Sequence, residues 1–164
     1  MSSDGTWTTP LTLSRAGSYR VFADFKRAGR NHTLASDLAV DGPVDWQALP
    51  EPITEIRTPS GYDVSLRAHS AAGGQTELAY EVRRAGKPVD VEPYLGARGH
   101  LVALREHDLA YLHVHPLKTT TEHGRAAIGF ATTFETAGRY RLFLQFKHAG
   151  RVRTAAATFA SSTR

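Results

Sequence analysis

Cysteine is absent from all 164 residues. Disulfides, thiolate zinc sites, iron–sulfur clusters, blue-copper centres and thiol nucleophiles are therefore excluded. The single methionine is Met1, so a thioether Cu(I) site is excluded too. No run approaches the roughly 20 apolar residues that span a bilayer. Residues 1–9 are polar and lack the apolar core of a signal peptide. Helical periodicity is almost missing. What remains for metal chemistry is imidazole, and there are 8 histidines.

Hydrophobic residues make up 41% and charged residues 22%, which places the chain among folded globular proteins rather than disordered ones. The net charge of +4 is unevenly placed. From Lys118 onward there are eight Lys or Arg against two acids, Glu122 and Glu135. Such cations on strand edges suppress edge pairing. No nucleic-acid motif accompanies them, so no nucleic-acid partner is expected. Arg141, Lys147, Arg151 and Arg153 are the candidate anion-binding residues.

The dominant period is two. Tyr62, Val64, Leu66 and Ala68 alternate with Asp63, Ser65 and Arg67; Leu78, Tyr80 and Val82 alternate with Glu77, Glu81 and Arg83. Further short strands follow at 100–105, 110–115, 128–134, 140–146 and 152–159. The spacing predicts an all-β, Ig-like (cupredoxin/CopC-like) antiparallel β-sandwich over 60–164.

An internal repeat organises the rest. Residues 16–35 read AGSYRVFADFKRAGRNHTLA and residues 137–156 read AGRYRLFLQFKHAGRVRTAA; 12 of 20 positions are identical without a gap. Tyr19 and Tyr140 each begin a strand two residues after a glycine, which suits a tyrosine corner. Residues 1–40 thus read as a three-stranded partial Ig-like repeat, with its first strand at 7–13. Three strands cannot close a core. They are expected to pack on the second unit or on another copy, as a homodimer through the N-terminal strands. Residues 41–59 contain Pro43, Pro50, Pro52 and Pro59 and read as a linker.

The informative stretch is GHLVALREHDLAYLHVHP, residues 99–116. As a hairpin turning at His107-Asp108, its paired positions sum to 215. That register sets His100 opposite His115 and puts His113 on the same face. Leu101, Ala103, Leu112 and Val114 then fill the core. A His-x-His pair plus a third imidazole leaves an open coordination position for a divalent metal. His148 is the leading fourth ligand, with Glu122 and His123 as the other candidates. A nitrogen-rich site favours Cu(II), with Zn or Fe as alternatives. If the open position is catalytic, Glu122 or Asp108 is the expected base.

YLGARGHLVALREHDLAYLHVHP followed by AGRYRLFLQFKHAGRVRTAAATF resembles a group of actinobacterial and other bacterial proteins labelled heavy-metal-associated or YtkA-like. The resemblance covers about residues 60–160. It implies Ig-like domains, an extracytoplasmic location and handling of a metal, above all copper. In such proteins an earlier domain carries its own His-Val-His-Pro segment. Here that segment is absent, because the chain begins just after where it would lie. Three functions follow as expectations: metal handling through His100, His113 and His115; a metal-dependent enzyme on the same residues; or an Ig-like structural or interaction module without metal.

Overall fold

The computed structural model describes residues 4–112, 114–118, 120–122 and 125–162. The chain divides into two compact units, Met1–Ala48 and Leu49–Arg164. Among the described residues the only helix is a 3-10 turn at Ala72–Gly74; none is long and apolar enough to cross a membrane. The fold is all-β and antiparallel, as its period of two predicts.

The first unit is one hairpin of β1 (Gly17–Arg27) and β2 (Arg30–Val40). Its eleven-pair ladder runs from Gly17↔Val40 to Arg27↔Arg30. The expected strand at 7–13 does not form. Trp7 and Leu11 lie exposed at 81% and 59%, with no ladder to hold them. The first unit therefore has two strands, not three.

The second unit is a β-sandwich. One sheet has the order β10 (Thr120–Glu122), β11 (Arg125–Thr132), β5 (Thr76–Arg84), β4 (Tyr62–Ser70), β3 (Glu55–Arg57). Two short strands add to it, β6 (Lys87–Pro88) on β5 and β9 (His115–Pro116) on β11. The other sheet has the order β13 (Arg151–Ser161), β12 (Gly138–His148), β7 (His100–Arg105), β8 (Tyr111–Leu112). β3 lies inside the expected linker. Ile56 is buried and pairs with Val64, so part of the proline-flanked stretch belongs to the sandwich.

Inward positions alternate on β4 and β12, β11 is buried along most of its length, and together they form one core. Tyr62, Val64 and Leu66 on β4 face Tyr140, Leu142, Leu144 and Phe146 on β12, with Leu78, Tyr80 and Phe130 beside them. The repeat folds the same way twice. The hairpin β12–β13 ends at His148↔Arg151 around Ala149-Gly150, as β1–β2 ends at Arg27↔Arg30 around Ala28-Gly29. Both turn residues have positive φ in each copy (49° and 78°; 51° and 71°). That is the type I′ geometry matching strand twist. Both expected tyrosine corners are present: Tyr19 Oη donates to Arg15 O at 2.7 Å and Tyr140 Oη to Thr136 O at 2.7 Å.

Candidate functional site

The β7–β8 hairpin has the register read from the sequence. Ala103 pairs with Leu112 and Leu104 with Tyr111, both summing to 215. Its turn is fixed by charge. The Arg105 guanidinium grips Asp108 through Nε at 3.1 Å and Nη2 at 2.5 Å, and Asp108 Oδ1 accepts the Ala110 N–H at 3.1 Å. These bonds hold the Asp108 carboxyl well below the usual carboxylate range. Asp108 is thus held as an anion by the turn that it closes. Leu101 and Ala103 are buried, and Leu112 and Val114 pack against the core, as expected.

Among the described residues the ladder is followed to Leu112, and His115 does not stand opposite His100. After Val114 turns into the core, the chain crosses to the other sheet. His115 pairs with Ala131 and Pro116 with Phe130 on β11. His100 pairs with Gln145 of β12, and its ring lies edge-on to Tyr94 at 6.3 Å between centroids. His115 instead lines a cleft of about 350 Å³ with Arg105, Tyr111, Leu112, Glu135 and Tyr140. Arg105 lies five residues along β7 from His100, roughly 16 Å at strand rise.

His148 cannot join His100 either. Leu101 pairs with Leu144 and both are buried, so His100 and its partner Gln145 face outward. His148 is two residues beyond buried Phe146 and faces inward. The sheet lies between them. Glu122 sits on β10 opposite Arg125, six positions along β11 from the partner of His115, which is about 20 Å. It is therefore not placed as a base beside His115. His113 and His123 lie outside the described residues. Among the described residues no group of three His, Asp or Glu is arranged to hold a metal.

The four candidate anion-binding cations also separate. Arg141 points outward, over the Phe143 ring at 5.9 Å and bonded to Thr158 Oγ1 at 3.0 Å. Lys147 pairs with Glu92 at 3.4 Å. Arg153, opposite inward-facing Phe146, points into the sandwich, and Arg151 pairs with His148 at the hairpin tip.

Around Arg153 the structure assembles a cluster that sequence reading missed in part. Tyr62, the first residue of β4, is completely buried. Its hydroxyl is 2.8 Å from His148 Nδ1, and the two rings meet edge-on at 5.7 Å. Arg84, its cross-strand partner, holds Cζ 5.1 Å from the ring centroid, and Arg153 Cζ is 5.9 Å away. Phe146 meets the same ring edge-on at 5.3 Å. Glu92 reaches this end but is already committed: it accepts the Gly150 N–H at 2.9 Å and pairs with Lys147. These contacts lower its carboxyl below the usual range. The period of two on β4 and β5 does mark Tyr62 and Arg84 as same-face residues. Their meeting with His148 and Arg153 depends on how the two sheets stack.

Residues 57–163 match the model of a family described as Domain of unknown function (DUF8832). No curated protein matches the chain. Among solved structures, it is similar to a DUF4426 family protein from Pseudomonas aeruginosa PAO1, with a TM-score of 0.51 and 12% identity. That similarity covers 65% of this chain and 94% of the other, and it shows a shared fold.

Proposed function

The chain belongs to the DUF8832 family, and we propose that it is an Ig-like interaction module that assembles through its N-terminal hairpin. One contrast carries this reading. In the second unit, the inward face of the repeat is buried: Tyr140, Leu142, Leu144, Phe146, Ala155 and Ala157. The same positions of the first copy are Tyr19, Val21, Ala23, Phe25, Leu34 and Ser36, and none of the first unit's described residues is buried. Val21, Phe25, Leu34 and Leu38 are 39%, 42%, 62% and 42% exposed.

A lone two-stranded ribbon is at best marginally stable, so this face needs a cover. The face is free of formal charge from Tyr19 to Phe25 and from Leu34 to Leu38, with Arg27 and Arg30 at its hairpin tip, whereas Arg20–Asp37 and Asp24 lie on the reverse face. A second copy laid antiparallel, with its hairpin tip at the far end, covers the apolar stretch and keeps the two Arg27–Arg30 tips apart, as a two-fold interface allows. Light scattering on the eluting full chain tests this. Dimer for the wild type, and monomer for Leu34→Asp with unchanged β-sheet circular dichroism, is the expected result. A wild-type monomer at every concentration refutes it.

Metal handling stands as a second reading in a narrower form, on the resemblance of GHLVAL and YLHVHP to heavy-metal-associated proteins. The exposure of His115, after two residues (Leu112, Val114) turned to the core, favours it. Its partners are then His113 or His123 rather than His100 or His148. Elemental analysis of untagged protein decides: stoichiometric Cu or Zn that His115→Ala abolishes supports it, and metal content indifferent to that change removes it.

A further inference from the structure

We infer an oxyanion-binding site, taking a phosphate, at the end of the sandwich where β4 begins and the β12–β13 hairpin turns. Through the middle of the sandwich the inward positions of β4, β5, β12 and β13 are apolar or tyrosine. At this end they become Arg84 on β5, His148 on β12, and Arg151 and Arg153 on β13. Arg84 and Arg151 open to solvent while Arg153 and His148 are half-buried, so the cations line the mouth of this end and gather like charge there.

The compensation is missing from the chain itself. Among the described residues, neither Arg84 nor Arg153 has a carboxylate within ion-pair distance, and the Arg153 Nε is buried with no hydrogen-bond partner. Glu92, the acid that reaches this end, is taken by Gly150 N–H and Lys147. The Tyr62 ring holds both guanidiniums within 6 Å of its centroid, with His148 anchored on its hydroxyl. Attraction to the tyrosine ring holds each guanidinium near it and uses none of its N–H donors in ion pairs. Two guanidiniums with donors to spare, beside an imidazole and Arg151, match the several acceptor oxygens and double charge of phosphate.

Titration of inorganic phosphate into the full chain, followed by calorimetry and by amide shifts of residues 62, 84, 148 and 153, tests the site. Saturable binding is expected, weakened about tenfold or more, 1.4 kcal/mol, by Arg84→Gln or Arg153→Gln. Arg57→Gln is the control, because Arg57 is outward and paired with Asp63, and it should bind as the wild type does. No saturable binding by the folded wild type overturns the inference. So does equal binding in all three variants, which would mark an adventitious ion only. If a Gln variant does not fold, Arg84→Lys and Arg153→Lys keep the stem and charge but lose the fork. A folded Lys pair that binds as tightly as the wild type also overturns the inference.

Discussion

Two tyrosines of one core should respond oppositely to the same substitution. Tyr140 and Tyr80 are 1% and 2% exposed. Tyr140 donates its hydroxyl proton to Thr136 O at 2.7 Å and pins the corner before β12. The Tyr80 hydroxyl is buried with no hydrogen-bond partner among the described residues, and burial pushes its ionisation far up. Tyr140→Phe removes a made bond and orphans a carbonyl, so a loss of about 1–2 kcal/mol is expected. Tyr80→Phe removes a hydroxyl that was desolvated without compensation. The ring and its edge contact with Phe130, at 6.1 Å, stay in place. A gain of about 1 kcal/mol is expected. Urea unfolding followed by far-UV circular dichroism is the assay. Tryptophan fluorescence would mislead, since Trp7 and Trp46 both lie in the first unit. In a thermal melt followed by the same signal, one kcal/mol should move the midpoint temperature by about 4 °C for a unit of this size. Destabilisation by both substitutions refutes the reasoning, because it would mean that the Tyr80 hydroxyl contributes a bond.

Ala149 holds φ 51° at the first position of a type I′ turn, a conformation that asparagine adopts at lower cost. Ala149→Asn should stabilise by about 0.5–1 kcal/mol, read as a raised thermal midpoint; a lowered midpoint contradicts it. Gly99→Ala should destabilise by about 1–3 kcal/mol in the same assay, since a Cβ there would sit 2.8 Å from Ile128 Cγ2 and 3.0 Å from Gln145 O. The Asp108 carboxyl is lowered by Arg105 and by the Ala110 N–H. Its contribution to the hairpin is therefore present above the unfolded value, near 4, and is lost only as pH falls toward the lower folded value. The Ala110 amide shift should stay constant through pH 4; a titration midpoint there, unchanged in Arg105→Ala, would show the ion pair to be absent in solution.

The sequence alone determined whatever depends on neighbours along the chain. The period of two specified the strands and their buried faces, because side chains alternate across a strand whatever it packs on. Ala-Gly pairs set the hairpin turns, so the repeat could be read as two equivalent hairpins, each with its tyrosine corner. The 215 register of β7 and β8 was legible for the same reason: a local turn fixes it. The tertiary structure decided where that register ends. Strand 7–13 found no ladder, and residues 55–57 left the linker to pair with β4, because pairing depends on a distant edge being free. His115 crossed to β11 rather than continuing opposite His100, since Val114 and Pro116 fit the other sheet. His148 and His100 fell on opposite sides of one sheet, a consequence of parity along β12. The meeting of Tyr62, Arg84, His148 and Arg153 was decided by sheet stacking, which brings together residues up to 91 positions apart and leaves no periodic trace in the chain.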